Sequence, residues 1–202
     1  MRLHYAPGTI SIAVAIALEE AGLDYEAVRV DFASAEQTQD AYLALNPKGR
    51  VPLLEAEGAR LTETGAILDY IGALAPQLVP QDPAAAAQMR SVLYYLASTM
   101  HVNHAHRMRG HRWADREESW ADMTAKVPET MAASARFVEE NALRGPFVLG
   151  AELSLADPYL FTVCNWLPGD GVDMAAFPRI AGFMDAMAAR PSVQAVRDRG
   201  LL

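Results

Sequence analysis

Two neighbouring motifs in the first third of the chain combine residue types that can hold an extended peptide. The first is a turn, residues 46–50, which leads through Val51 and Pro52 into a short apolar strand. Because proline has no N–H for a sheet ladder, it belongs at a strand's start, an edge or a bulge, and a cis Val51-Pro52 bond would turn the Val51 backbone outward. The second motif, Glu63-Thr64, heads a predicted helix, where free N–H groups favour an anion. A strand edge beside a helix N-terminus therefore suits an extended peptide that carries a carboxylate.

The elements that position these motifs alternate between strand and helix. Hydrophobic spacing predicts a strand over residues 2–5, a helix over 10–21 that stops at a glycine, and a second strand over 25–32. A polar, irregular segment precedes the turn, and a hairpin that turns at Glu57-Gly58 leads to a helix over 65–74. The order strand–helix–strand–helix–strand–strand–helix is that of a thioredoxin-like domain, which a right-handed βαβ unit followed by a hairpin would produce.

The second half of the chain has the pattern of an all-helical domain. Three prolines within residues 76–83 predict a linker, and beyond it apolar residues recur at helical spacing. Ser154 and Asp157 form a variant capping box, for which we predict a role in folding. We therefore predict an α/β thioredoxin-like domain over residues 1–75 and an all-α domain over residues 84–202. The predicted helices of the second domain lie near residues 84–110, 117–142, 155–166, 177–189 and 192–198.

Composition excludes several classes of function. A chain of 202 residues can bury the core of one large or two small domains. Its net charge of −8 argues against nucleic acid as a partner, and no apolar run reaches the length of a membrane span. The single cysteine, Cys164, rules out an internal disulfide and fits a reducing compartment. We therefore expect a cytoplasmic protein with small-molecule partners.

The turn and the helix start together resemble the glutathione site of the glutathione S-transferases. The shared pattern is Asn-Pro-x-Gly-x-Val-Pro, here residues 46–52, followed by Glu-Ser or Glu-Thr, here Glu63-Thr64. The resemblance extends from residues 5–8 to residues 190–193 and is closest to the bacterial beta class. It implies a thioredoxin-like domain that binds glutathione as co-substrate and an all-α domain that holds a hydrophobic electrophile. It also implies a homodimer and a role in detoxification.

The resemblance assigns ligand contacts to the two motifs. The Val51 backbone would pair with the cysteinyl unit of glutathione, with Pro52 holding the strand start. Glu63 would take the γ-glutamyl ammonium, and Thr64 would take the γ-glutamyl carboxylate through its hydroxyl and N–H. Lys48 and Arg50 are turn cations that could meet the glycyl carboxylate, although solvated surface charges are nearly as good an interpretation.

Glutathione transfer also needs a group that favours the thiolate, since a free thiol titrates near about pH 8.5. Beta-class relatives carry a cysteine where this chain has Ile10, so cysteine-based redox chemistry is not available at this position. The remaining candidates are the hydroxyls of Ser11, Thr9 and Tyr5, together with the N-terminus of the first helix. Ser11 and Thr9 rank above Tyr5 and are not separated from each other. Their alternative role is helix capping, and that of Tyr5 is packing in the strand.

Several histidines fall within one predicted helix. Alignment with the beta class places His101 on the active-site histidine, which implies a role beside glutathione or in the substrate pocket. His101 and His104 share a helix face and could ligate a metal, but no carboxylate lies between them and no further ligand set is evident. We therefore predict no metal, and the role of the His101, His104 and His106 cluster stays open.

We predict a glutathione S-transferase that joins the glutathione thiolate to a hydrophobic electrophile. One alternative is another glutathione-dependent enzyme on the same scaffold, such as an isomerase, a dehalogenase or an ether-cleaving lyase. Another is a glutathione-binding protein without catalysis. The identity of the electrophile does not follow from the sequence, because generic apolar residues line the expected pocket.

Overall fold

The computed structural model describes all 202 residues and divides them into two compact units. The first unit consists of residues 1–82 together with residues 188–202, and the second consists of residues 83–187. The sequence predicts a helical domain over residues 84–202, whereas the structure groups residues 188–202 with the first unit. The physical reason is that the C-terminal helix packs against the first helix of the chain.

The first unit is built on a four-stranded mixed sheet. Its strands are β1 (Arg2–Tyr5), β2 (Glu26–Arg29), β3 (Leu53–Ala56) and β4 (Ala59–Thr62). They lie in the order β2-β1-β3-β4, with β1 parallel to β2 and β3 antiparallel to both of its neighbours. Glu57 and Gly58 both have positive φ in the turn of the β3–β4 hairpin, which matches the twist of a two-residue hairpin. The predicted thioredoxin-like arrangement is confirmed.

Nine α-helices complete the chain. They are α1 (Ser11–Glu20), α2 (Asp40–Leu43), α3 (Thr64–Leu74), α4 (Pro83–Tyr95), α5 (His101–Arg109), α6 (Glu117–Phe137), α7 (Ala156–Cys164), α8 (Pro178–Ala188) and α9 (Pro191–Asp198). Short π-helical segments, Leu96–Met100 and Val138–Ala142, follow α4 and α6 directly. None of these helices combines the length and the apolar character that a membrane crossing requires.

Helix α1 forms the centre of the first unit. It is buried from residue 11 to residue 18, because almost all of its side chains are apolar and β1, α3 and α9 all pack against it. At its end, Glu20 accepts hydrogen bonds from Arg190 and Ser192. Burial disfavours the charged form of Glu20, but the hydrogen bonds from Arg190 and Ser192 outweigh it and hold the pKa of this carboxyl below its usual value. The same contacts anchor α9, whose Val196 is completely buried.

The named elements of the second unit are all helices, as the spacing of apolar residues predicts, and an isolated β-bridge pairs Phe147 with Gly150. The predicted helix over residues 84–110 corresponds to α4, its π-helical segment and α5, which run on without a break. Helix α7 is buried along its whole length, and the core includes Phe161 and Phe183.

The predicted capping box at the head of α7 is present in altered form. Asp157 is fully buried and accepts the Ser154 N–H at 2.7 Å, as a capping box requires. The Ser154 hydroxyl, however, donates to Asp157 at 2.9 Å instead of capping the helix. The second carboxylate oxygen of Asp157 accepts the Val148 N–H at 2.7 Å. This carboxylate therefore joins the loop before α7 to the helix and has a structural role.

Candidate functional site

The turn of the first motif is held by side chains that converge on one carbonyl. The Arg50 carbonyl accepts a hydrogen bond from Tyr42 Oη at 2.8 Å and another from Asn46 Nδ2 at 2.7 Å. Asn46 is buried, and its Oδ1 accepts the Lys48 N–H at 3.1 Å. Burial raises the pKa of Tyr42 to about 12, so its phenol remains a donor at neutral pH. The backbone that enters Val51 is therefore fixed on its N-terminal side.

The Val51 backbone is available to a ligand. The Val51-Pro52 peptide bond is cis, and Val51 is half-buried just before β3 begins at Leu53. Its N–H and its carbonyl have no hydrogen-bond partner within the chain. Leu53 lies opposite Thr62 in the hairpin, so Val51-Pro52 and the Glu63-Thr64 motif lie at the same end of β3 and β4.

The helix start at Glu63-Thr64 also carries free donors. Glu63 has φ of +68°, an unusual value for a residue with a side chain, and such a conformation costs about 1–3 kcal/mol. It turns the chain directly into α3, which begins at Thr64. Thr64 is 7% exposed, and neither its hydroxyl nor its N–H has a partner within the chain. Together with the helix dipole, these two donors can hold a carboxylate.

The two turn cations differ in their surroundings. Lys48 Nζ donates to Glu63 Oε1 at 2.5 Å and to Thr62 Oγ1 at 2.9 Å. Arg50 is exposed, and its guanidinium has no partner within the chain. Lys48 therefore neutralises the carboxylate that, by the family resemblance, would take a ligand ammonium. Of the two cations, only the Arg50 guanidinium is free to bind another anion. Both members of the Lys48–Glu63 pair are well exposed, so the pair contributes little stability and a ligand can displace it.

A compact hydroxyl cluster lies at the start of α1. Thr9 Oγ1 donates to the Ala6 carbonyl at 2.7 Å and lies 2.6 Å from Ser11 Oγ. Ser11 Oγ accepts the Ala6 N–H at 3.3 Å and lies at the same distance from the Ala6 carbonyl. Ser11 is completely buried, whereas Thr9 is partly exposed. Of the two hydroxyls that the sequence did not separate, Thr9 is the one that a ligand can reach.

Thr9 lies one residue before the N-cap position of α1, which Ile10 occupies without a side-chain cap of its own. Thr9 Oγ1 accepts the Ser11 N–H at 3.4 Å, so part of the capping role considered for Thr9 is present beside its shorter contacts with the Ala6 carbonyl and Ser11 Oγ. The Ile10 N–H has no partner within the chain and lies next to Thr9. Tyr5 is 8% exposed at the end of β1, and no hydrogen bond joins its hydroxyl to the Thr9–Ser11 pair. The cluster therefore offers one reachable hydroxyl and one free N–H.

Two histidines of the second unit, His101 and His104, contact the same aromatic ring, and a third contacts another. His101 Nδ1 lies 3.4 Å from Tyr159 Oη, and its ring centroid lies 5.0 Å from that of Trp166. His104 stacks on the Trp166 indole, with centroids 4.2 Å apart. His106 instead contacts Trp113 edge to face. His101 and His104 therefore meet at the Trp166 indole, whereas His106 contacts a different ring.

One functional candidate was not evident from the sequence. Asp170, whose side chain is completely buried, accepts a hydrogen bond from His104 Nδ1 at 2.7 Å and one from Arg107 at 3.3 Å. No sequence motif indicates this contact, because 66 positions separate His104 from Asp170. Cys164, by contrast, is fully buried, and burial raises the pKa of its thiol well above the usual range, so it is an inert packing residue.

Models of two protein domains match most of the chain. The glutathione S-transferase N-terminal domain matches residues 1–73, and the glutathione S-transferase C-terminal domain matches residues 105–198. With the fold and the site described above, these matches define the class. The chain belongs to the glutathione S-transferase family, a family of glutathione transferase enzymes.

Individual relatives are similar over nearly the whole chain. A glutathione transferase homologue from Sulfitobacter, solved with bound glutathione, is 67% identical with a TM-score of 0.98 and covers 100% of this chain and 98% of its own. Glutathione S-transferase GstA from Escherichia coli O157:H7 is 32% identical over 96% of both chains. Maleylacetoacetate isomerase from Pseudomonas aeruginosa is 33% identical over 95% of this chain and 93% of its own.

Proposed function

We propose that this protein binds glutathione on its first unit and joins the sulfur of glutathione to a hydrophobic electrophile. The observation that carries the proposal is that two residues at one end of the β3–β4 hairpin have hydrogen-bonding groups without a partner in the chain. Val51 offers an N–H and a carbonyl, and Thr64 offers an N–H and a hydroxyl. The glutathione-bound homologue from Sulfitobacter, at 67% identity, supports the choice of ligand.

In this proposal the tripeptide lies along the free edge at Val51-Pro52, with its cysteinyl unit paired to the Val51 backbone. Thr64 binds the γ-glutamyl carboxylate at the N-terminus of α3. Glu63 takes the γ-glutamyl ammonium, which replaces Lys48 on that carboxylate. Arg50, which has no internal partner, then meets the glycyl carboxylate, while Lys48 returns to solvent or shares that role.

Thr9 and the Ile10 N–H stabilise the glutathione thiolate. Thr9 turns its proton from the Ala6 carbonyl to the sulfur. Ser11 keeps Thr9 oriented, because it donates its own proton to Thr9 Oγ1 over 2.6 Å and still accepts the Ala6 N–H. The Ile10 N–H and the dipole of α1 supply further positive potential. Ser11 is thus a positioning residue, and Tyr5 plays a lesser part.

The electrophile is assigned to the helical unit, with His101 beside it. Support comes from the ring contacts of His101 with Trp166 and Tyr159, which form an aromatic surface within that unit. Family membership supports a homodimer, a cytoplasmic location and a role in detoxification. Sedimentation at several protein concentrations tests the homodimer, because a dimer doubles the 21.9 kDa mass of the chain.

The experiment is an ultraviolet titration of the thiolate of bound glutathione. The wild-type protein is compared with Thr9→Val, Ser11→Ala and Tyr5→Phe variants at saturating glutathione. We expect the pKa of the bound thiol to lie below that of the free thiol. In the Thr9→Val variant, the pKa of the bound thiol should rise most of the way back to the free value. Ser11→Ala should have a smaller effect in the same direction, and Tyr5→Phe should have little. Glutathione bound with an unshifted thiol pKa would indicate a non-catalytic binding protein, and the absence of binding would refute the proposal.

A second candidate is a glutathione-dependent isomerase, favoured by the 33% identity to the maleylacetoacetate isomerase. In such a reaction glutathione adds to a conjugated substrate and then leaves, so that it is not consumed. Incubation with a cis-configured conjugated diketone separates the two reactions. Transfer depletes glutathione in proportion to product, whereas isomerisation converts the substrate at constant glutathione.

A further inference from the structure

An arginine on the edge strand of the sheet holds the segment that leads into Val51. This segment, residues 40–50, consists of α2 and the turn of the first motif, and we refer to it as the α2 segment. Arg60 Nη1 donates to the Ala44 carbonyl at 2.9 Å, across 16 positions of the chain. No strand pairing connects the α2 segment to the sheet, so this hydrogen bond is a direct tie between the two.

The position of the Arg60 side chain is set by a carboxylate on the neighbouring strand. Arg60 lies opposite Glu55 in the β3–β4 register, and its Nε lies 3.8 Å from Glu55 Oε2. The other oxygen of this carboxylate accepts a hydrogen bond from His4 Nε2 at 2.7 Å. The hydrogen bond from His4, with the nearby charges of Arg2 and Arg60, outweighs desolvation and holds the pKa of this carboxyl below its usual value. Glu55 is therefore an anion at neutral pH that orients the Arg60 guanidinium.

The same network supports the α2 segment at a second point, the Tyr42 ring. His4 is buried, and its ring meets that of Tyr42 edge to face, with centroids 6.0 Å apart. Tyr42 in turn donates to the Arg50 carbonyl. Because the Arg50 carbonyl and the Val51 N–H belong to one planar peptide unit, a fixed carbonyl also fixes the direction of that N–H. The tie at Ala44, two residues after Tyr42, therefore acts on the part of the chain that orients the Val51 donor.

We propose that Arg60 is a positioning residue of the glutathione site, which holds the α2 segment in the conformation that presents the Val51 N–H to the ligand. The inference rests on the proposed binding of glutathione at Val51. Arg60 acts through Ala44 and Tyr42 and does not itself contact glutathione. Glu55 has a supporting role, because it holds both Arg60 and His4.

Loss of this tie should weaken glutathione binding without changing the bound complex. Without Arg60, the α2 segment spends part of its time in conformations that point the Val51 N–H elsewhere. The apparent Kd then rises in inverse proportion to the fraction of molecules that remain competent to bind. Bound glutathione restores the segment, since its contact with Val51 favours the competent conformation. The Kd and the KM for glutathione should therefore rise together, while kcat at saturating glutathione should not change.

The test replaces Arg60 with methionine, which keeps an unbranched apolar stem and removes the donors. The Arg60 side chain is 50% exposed, so its loss leaves the core intact. Loss of one hydrogen bond should raise the Kd for glutathione about 3- to 10-fold, as measured by isothermal titration calorimetry. With chlorodinitrobenzene as the second substrate, KM for glutathione should rise by the same factor and kcat should keep its wild-type value.

Arg2→Met is the matched control. Arg2 and Arg60 both pair with the Glu55 carboxylate, and their side chains are 52% and 50% exposed. Arg2 bonds to Glu26 and Glu55 but to no group of the α2 segment. Arg2→Met therefore removes a comparable surface charge without the tie, and it should bind glutathione with the wild-type Kd.

Hydrogen exchange of backbone amides separates a local role from a general loss of stability. The N–H groups of residues 44–46 donate to the carbonyls of Asp40 and Tyr42. In ligand-free Arg60→Met these amides should exchange faster than in the wild type, and saturating glutathione should slow them again. The amides of the buried helix α1 should keep their wild-type rates, because only the α2 segment opens.

Each outcome decides the inference. Wild-type affinity in Arg60→Met, an equal loss of affinity in Arg2→Met, or a fall in kcat without a rise in KM refutes the role of Arg60 and leaves the proposed function intact. A wild-type protein that does not bind glutathione refutes both proposals together. Arg60→Gln, whose side chain is too short to bridge from β4 to Ala44, should show the same rise in Kd and provides the measurement if the methionine variant misfolds.

Discussion

Replacement of Thr64 with valine tests the proposed carboxylate site directly, because the two side chains have nearly the same shape. Thr64 is 7% exposed, and its hydroxyl has no partner in the ligand-free chain. The valine variant therefore loses a donor to the ligand and leaves no internal group unpaired. A hydrogen bond to a charged group contributes about 1.5–3 kcal/mol, so the Kd for glutathione should rise about 10- to 150-fold.

Isothermal titration calorimetry measures this change with two ligands. One is glutathione, and the other is an analogue in which the γ-glutamyl carboxylate is replaced by a carboxamide. Because the variant and the analogue remove opposite partners of one contact, their effects on the free energy of binding should not add. Thr64→Ser keeps the hydroxyl and should bind close to the wild type, while the Tm of the ligand-free Thr64→Val protein should not fall.

Two results would refute this reasoning. If Thr64→Val binds glutathione as tightly as the wild type, the hydroxyl does not contact the ligand. If the variant weakens glutathione and the carboxamide analogue by the same factor, the loss arises from a change of shape at the start of α3 and not from the carboxylate contact.

Three further predictions concern the residues around the site and the anchor of the C-terminal helix. Lys48→Met frees the Glu63 carboxylate for the ligand ammonium, and because exposed pairs contribute about 0.2–1 kcal/mol, calorimetry should show glutathione binding up to about fivefold tighter. Tyr42→Phe removes one of the two donors to the carbonyl before Val51 and should lower the free energy of unfolding in urea by about 0.5–1.5 kcal/mol. Glu20 has a folded pKa below its unfolded value, so the stability it contributes is present above the unfolded pKa and is lost as pH falls through the folded pKa. In Glu20→Gln the free energy of unfolding should therefore depend less steeply on pH below about 5.

Each of these expectations has a contrary outcome. Weaker glutathione binding in Lys48→Met would show that Lys48 contacts the ligand itself. Unchanged stability in Tyr42→Phe would show that Asn46 alone holds the loop carbonyl, and Asn46→Ala would then have the full effect. An identical acid dependence in the wild type and Glu20→Gln would show that the carboxylate gains no stability from Arg190.

The order of elements was predictable because it depends on local patterns. Apolar spacing and glycine stops locate α1, and the proline-rich segment before Pro83 separates two different periodicities. The hairpin follows from Glu57-Gly58, since few residues other than glycine adopt positive φ without cost. These signals lie within a few residues of the structure that they specify.

The partners of individual side chains were not predictable in the same way. Ser11 and Thr9 are equivalent in sequence, and only their burial separates them. Lys48 pairs with Glu63 because the turn before β3 and the residue after β4 lie at the same end of the hairpin. The contact of His104 with Asp170 depends on how α5 meets the turn after α7, a tertiary relationship that no local spacing encodes. The positions of the motifs were thus predictable, and their electrostatics were not.

The packing of α9 on α1 has a consequence for how the chain folds during synthesis. Residues 188–202 complete the first unit, yet the ribosome makes them only after the whole helical unit has been translated. Until then, the surface of α1 against which α9 packs stays uncovered, and Glu20 lacks the guanidinium that compensates its burial. The nascent thioredoxin-like unit therefore remains incompletely folded, with exposed apolar surface, until residues 188–202 are made. Chaperones act on species of this kind.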